Sequence, residues 1–187
     1  MINPAQQAAT RAKHRIETKI NNRLNLFVSG VTIPPPENSK SGNSYTVYIP
    51  GRGEELKLAD GLGFLGGTIK YTLINSKEAE LSSYSFHFIH AHSFHRFYEG
   101  DEELEKERFN FHLDYDKDHQ SKYLHPLVHF QIAPLSLPRF PAAEETDALL
   151  AFEEFLNLVE MSFYKSHELS KRSAKLECAQ KYLTQYQ

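Results

Sequence analysis

At 187 residues, with 40% hydrophobic and 12% aromatic side chains, the chain has enough apolar material for one packed core. That excludes global disorder and bounds it to a single domain, or one domain with a helical arm. A formal net charge of −3 excludes a uniformly basic nucleic-acid binder but leaves room for a local basic patch. One cysteine, Cys178, cannot form an internal disulfide and favours a reducing compartment. The first residues, Met1 to Pro4, are too polar for a signal peptide, and no apolar run reaches the roughly 18 residues of a membrane span. A soluble cytoplasmic protein without a membrane partner is therefore expected.

A basic amphipathic helix is predicted over residues 1–25. Asn3 suits the N-cap and Pro4 the first helical position, where a missing N–H costs nothing. Ala5, Ala9, Ala12, Ile16, Ile20 and Leu24 recur at three- and four-residue steps and give the apolar stripe. Beside it run Arg11, Arg15, Lys19 and Arg23, with Lys13 close by, so that residues 11–23 hold five basic side chains against one acidic, Glu17. Such a stripe suits the phosphates of an RNA; a solvated face, or docking on an acidic helix, fits equally.

Leu26 to Ile33 reads as a short strand. Pro34-Pro35-Pro36 and the polar residues after it predict an extended loop or hinge. Strands follow at Tyr45–Ile49, Leu56–Leu58 and Thr68–Ile74. Between the last two, Gly61-Leu62-Gly63-Phe64-Leu65-Gly66 has the spacing of a phosphate-cradling loop. A strand follows it, where the dinucleotide fingerprint needs a helix, and a flexible hairpin connection is expected instead.

From Ser83, Tyr84, Phe86 and Phe88 alternate with Ser85 and His87, which predicts a strand with one apolar face and a bend near Ala91. Glu99 to Glu107 is an acidic loop or short exposed helix. Arg108 to Asp116 is the clearest strand, with Phe109, Phe111, Leu113 and Tyr115 on one side and Asn110, His112, Asp114 and Asp116 on the other. His125 to Ile132 is the next. Pro134, Pro138 and Pro141 then end the sheet and frame Arg139. Two helices are predicted over residues 144–186. The first has Glu144, Glu145 and Asp147 in its first turn and buries Leu149, Phe152, Phe155, Leu156, Val159 and Phe163; the second runs from about Ser166 to Tyr186. The class expected is α+β: a mainly antiparallel sheet over residues 26–132, packed by the N-terminal helix and two C-terminal helices.

Histidine carries the functional signal. Eight of the ten histidines lie between His87 and His129. Paired as a hairpin, the strands around residues 112 and 129 bring His112 and Asp114 opposite or diagonal to His125, His129 and Gln131, within about 4.5–8 Å. Two chemistries fit that polar face. In a metal-independent ribonuclease the histidines exchange protons with substrate, Asp114 orients an imidazole and Arg139 stabilises a charged phosphorane; no cofactor is needed. Alternatively, two or three histidines with Asp114 hold a transition metal. A solvated face whose histidines hydrogen-bond to neighbours is the third possibility.

Other motifs fail on spacing. His90-Ala91-His92 with Glu99 lacks the second half of a cupin metal motif. Asp114-Tyr115-Asp116-Lys117-Asp118 starts like a calcium loop, but His119 stands where that loop needs glycine and His125 where it needs its closing glutamate. Glu55-Leu56-Lys57 is the Glu-x-Lys half of many nuclease sites without a preceding aspartate. Cys178 has no accompanying motif and reads as core-facing or inert.

The run His112-Leu113-Asp114-Tyr115, then His125-Pro126-Leu127-Val128-His129-Phe130, then Leu137-Pro138-Arg139-Phe140-Pro141, followed by an acidic-apolar helix, resembles little-characterised prokaryotic histidine-rich domains found near toxin–antitoxin and phage-defence loci. The resemblance spans at most residues 84–164 and implies a toxin-like or defence-associated nuclease role, without assigning catalytic residues. The leading expectation is thus an effector acting on RNA. His112, His125 and His129 would be its acid–base groups, Asp114 an orienter, Arg139 an anion clamp, and Arg11, Arg15, Lys19 and Arg23 a phosphate track. The alternatives are a non-catalytic module that binds a protein partner through its helices and the acidic segment 99–107, or a His/Asp metal-binding protein.

Overall fold

A computed structural model describes residues 3–23, 26–27, 30–59, 63–90, 110–117, 128–133, 140–141 and 147–160. Helix α1 (Pro4–Asn21) starts where the Asn3 carboxamide accepts from the backbone N–H groups of Ala5 and Gln6. It stops short of residue 25 because Asn21 turns its side chain outward. Asn21 Oδ1 accepts from Val31 N at 2.8 Å, and Nδ2 donates to Val31 O at 3.0 Å. That clamp ties the following segment to the helix end. Among the described residues, the expected strand over 26–33 reduces to an isolated bridge between Phe27 and Leu58. Its apolar residues, Leu26, Phe27 and Ile33, plug the core individually instead of alternating across a ladder.

The strands are β1 (Glu37–Asn38), β2 (Ser44–Ile49), β3 (Leu56–Lys57), β4 (Gly63–Leu73), β5 (Ala79–His90), β6 (Asn110–Asp116), β7 (Val128–Ala133) and β8 (Phe140–Pro141). They form one sheet in the order β1-β2-β4-β5-β6-β7-β8, with β3 also on β4 and every pairing antiparallel. β2 takes residues 67–72 of β4 and β3 takes 64–65, so the two share one side of β4, separated by the corner at 50–55. The polar stretch after the prolines, expected to hold no regular element, donates β1. Its hairpin to β2 turns at Gly42, whose φ of 75° suits a residue without Cβ. β4 and β5 join through a turn in which Asn75 Oδ1 accepts from Lys77 N and Glu78 N.

β4 also corrects the expected glycine hairpin: Gly63, Gly66 and Gly67 are strand residues. They are small because neighbours come close. A Cβ on Gly67 would lie 2.6 Å from the Ser85 carbonyl oxygen and 2.7 Å from the Phe86 ring. Gly67→Ala therefore meets backbone, which cannot swing away. It is expected to cost about 1–3 kcal/mol in a urea unfolding titration, as overpacking does.

Helix α2 (Ala148–Val159) begins at Asp147, whose carboxylate accepts from Leu149 N at 2.8 Å. Asp147 is thus the cap itself, not a first-turn residue. Glu144, Glu145, the predicted second helix over 166–186 and the acidic segment 99–107 lie outside the described residues. α1 packs on β2, β4 and β5, and α2 on β5 and α1. The core lies between this helical layer and one sheet face: Ala9, Ile16 and Ile20 of α1 and Phe152, Phe155 and Val159 of α2 meet Val47, Ile69, Tyr84, Phe86, Phe111 and Leu113. The alanines let α1 sit close to the strands. The fold is α+β with a mainly antiparallel sheet. Among the described residues, no helix is long and apolar enough to cross a membrane.

The two helices are latched by charge. Lys19 donates to Glu153, and Arg23 donates to Glu160 at 3.2 Å and to Asn157 at 2.7 Å. The Lys19 hydrogen bond, then its charge, holds the Glu153 carboxyl below its ordinary 4.5. A depressed carboxyl contributes stability above its unfolded value and loses it as pH falls through the folded one. The Tm difference between wild type and Glu153→Gln is therefore expected to be present at neutral pH and to close below the ordinary carboxylate range. It will be small, because Glu153 is largely solvated.

Candidate active site

Strand alternation that sends Phe86, Leu113 and Val128 into the core sends their neighbours to the opposite sheet face. Register aligns these into two adjacent rows. One reads Gly66, His87, His112; the next reads Tyr48, Thr68, Ser85, Asp114, His129. Lys57 with Phe64 and Lys70 with Ser83 flank them on the same face.

In the first row, His87 Nε2 lies 2.8 and 3.0 Å from the two oxygens of Glu55. An ionised carboxylate only accepts, so Nε2 carries the proton and Glu55 fixes the ring and its tautomer. The His112 ring lies beside it, 5.7 Å between centroids and tilted by 36°. Both imidazoles are partly accessible. Gly66 makes the arrangement possible, because a Cβ there would lie 2.7 Å from both Glu55 Oε2 and His87 Nε2. Unlike Gly67, it faces the ends of mobile side chains. Gly66→Ala is thus expected to leave the urea midpoint nearly unchanged while prising the pair apart, seen as a changed His87 imidazole signal in NMR.

In the second row, Asp114 stands directly opposite His129, with Oδ2 3.7 Å from Nε2. That is beyond direct hydrogen bonding but within charge interaction. His129 is 1% exposed, so it cannot meet a substrate as His87 and His112 can. Its position suits a group that sets the register and pitch of β6 and β7 behind His112.

Of the residues singled out from sequence, His112, Asp114 and His129 come together here. His125 and Arg139 lie outside the described residues. Arg11, Arg15 and Lys19 are on α1 and Arg23 in the turn just after it, across the sheet from both rows. Lys19 and Arg23 are held by α2, as the docking alternative for that stripe expected. Sequence reasoning missed Glu55 and His87. His87 carried a usable signal, since Ser85 and His87 alternate with Tyr84, Phe86 and Phe88 just as His112 and Asp114 alternate with Phe111 and Leu113. Glu55 stood out only in the Glu55-Leu56-Lys57 motif, which fails for want of a preceding aspartate; nothing local tells that it reaches His87 from the corner between β2 and β3. Among the described residues, no group of three His, Cys, Asp or Glu is arranged to hold a metal ion.

Comparison of the chain with protein-family models, with curated proteins and with solved structures finds no match in any of the three. The site has its own chemistry: a carboxylate-oriented imidazole, a second imidazole beside it, and lysines on the same face.

Proposed function

We propose that this face cleaves single-stranded RNA by acid–base chemistry. The observation that carries the reading is the Glu55–His87–His112 row. Glu55 holds the His87 ring through its Nε2–H and so presents Nδ1, which takes the proton from a ribose 2′-hydroxyl. The 2′-oxygen attacks the adjacent phosphorus as the bond to the 5′-oxygen breaks, and protonated His112 gives its proton to that leaving oxygen. The products are a 2′,3′-cyclic phosphate and a free 5′-hydroxyl. The exposed Lys57 and half-buried Lys70 supply charge for the phosphates, and Phe64 and Tyr48 on the same face offer ring surface to unstacked bases. Asp114 and His129 act as positioning residues for β6. Arg139 keeps the role of anion clamp. The α1 stripe has no part in the track, since it lies across the sheet and half of it is bonded to α2. A toxin-like or defence-associated effector working in the cytoplasm is the setting that goes with this chemistry.

The test is incubation of the purified protein with labelled single-stranded RNA, with and without EDTA. Cleavage under both conditions is expected. No cleavage would sink the enzyme reading and leave an interaction module, and cleavage only without EDTA would move the chemistry to a metal.

A further inference from the structure

Across the sheet from the histidine rows, the N-terminal half of the α1 stripe has a different fate from the C-terminal half. α2 starts at Ala148, and its carboxylates Glu153 and Glu160 take Lys19 and Arg23. Arg15 and Arg11, one and two turns before Lys19, have no ion pair among the described residues. They line a cavity of about 520 Å³ together with Tyr71, Leu81, Asp147 and Leu149. That volume falls within the roughly 300–1,000 Å³ of small-molecule sites.

The lining is divided by chemistry. Leu81 and Leu149 make one apolar wall. Arg11 and Arg15, four residues apart on one helix face, aim two guanidinium forks at the same space. Asp147 accepts through Oδ1 from the Leu149 N–H, and among the described lining residues two arginines stand against this one carboxylate. Burial lifts the Tyr71 phenol above its usual range, with Asp147 adding to the shift and Arg11 and Arg15 opposing it. A phenol O–H is a hydrogen-bond donor. A phosphate monoester accepts from bidentate guanidinium and phenol donors alike, and such charge-assisted bonds are the strong ones.

We infer that this cavity binds a small organic phosphate monoester, its phosphate between Arg11, Arg15 and the Tyr71 hydroxyl and its apolar body against Leu81 and Leu149. The site is separate from the histidine rows and does not depend on what they do.

Isothermal titration of the full chain with phenyl phosphate and adenosine 5′-monophosphate, against inorganic phosphate and benzoate, tests it. Saturable one-to-one binding of at least one ester is expected, at least tenfold tighter than either control. Arg11→Gln and Arg15→Gln should each weaken it by tenfold or more, Arg11→Lys by less, and Tyr71→Phe by a few-fold, while His87→Ala changes nothing. Both arginines are exposed, so an unchanged Tm will show that the variants fold. No saturable ester binding at millimolar concentration, equal affinity for benzoate, or binding indifferent to both arginine substitutions would overturn the proposal.

Discussion

Phe155→Ala is expected to cost about 3–5 kcal/mol of unfolding free energy, the range for truncating a large core aromatic. Phe155 is fully buried on α2, stacked on Phe111 of β6 at 5.2 Å and 6°, and tilted against Phe86 of β5 at 6.0 Å. Phe86 in turn meets Phe152 edge-on at 5.0 Å. The ring thus sits where α2 joins two central strands, and its loss leaves a void that strands locked in a ladder cannot close. With domain stabilities of about 5–15 kcal/mol, the loss is a large share of the total. Leu150, on the same helix but 50% exposed, is the internal control: Leu150→Ala should stay within about 0.5 kcal/mol. Urea titration of both decides it. A Phe155→Ala loss under 1 kcal/mol would mean that α2 does not close this core.

His87→Ala and His112→Ala are each expected to lower kcat for RNA cleavage by about 10²–10⁴-fold, the usual contribution of a positioned acid or base. KM should change little, because phosphate contact falls to Lys57 and Lys70. Wild-type kcat/KM should be bell-shaped in pH, and each histidine variant should lose one limb of the bell. Glu55→Gln keeps a side chain of the same size that still accepts from His87 Nε2, so it should reduce the rate less than either histidine variant. His129→Ala separates chemistry from scaffolding. It removes a buried polar group facing Asp114 and should reduce stability, while the shape of the pH profile stays intact. A lost limb in His129→Ala would instead make that buried ring a proton carrier.

How much of this could be read from the chain depends on whether a residue's surroundings are local. β5 and β6 each put aromatic residues on one face and polar ones on the other, and Val128 and His129 continue the alternation in β7, so alternation gives the strands and, with hairpin order, the Asp114–His129 juxtaposition. α1 is equally legible through its cap and its apolar stripe. The basic stripe shows charge without its partner: Glu153, Asn157 and Glu160 form a matching face on α2, but nothing local says which helix meets which. Leu26 to Ile33 is apolar enough for a strand, but its described residues Leu26, Phe27 and Ile33 are buried as separate plugs, and Val31 between them is held by Asn21. Glycine was misread for a related reason. In β4 it serves close approach, of Phe86 over Gly67 and of the Glu55–His87 pair over Gly66, and close approach is a property of the neighbours.

The most direct measurement is the end-group chemistry of a labelled single-stranded RNA, in EDTA, with wild type and with the His87→Ala/His112→Ala double variant. A matched oligonucleotide carries one deoxyribose at the cleavage position. Wild type should release fragments ending in 2′,3′-cyclic phosphate from the all-ribose substrate and leave the deoxy position intact, and the double variant should release none. Scission at the deoxy position at the same rate, undiminished scission by the double variant, or no scission by wild type would contradict the acid–base assignment.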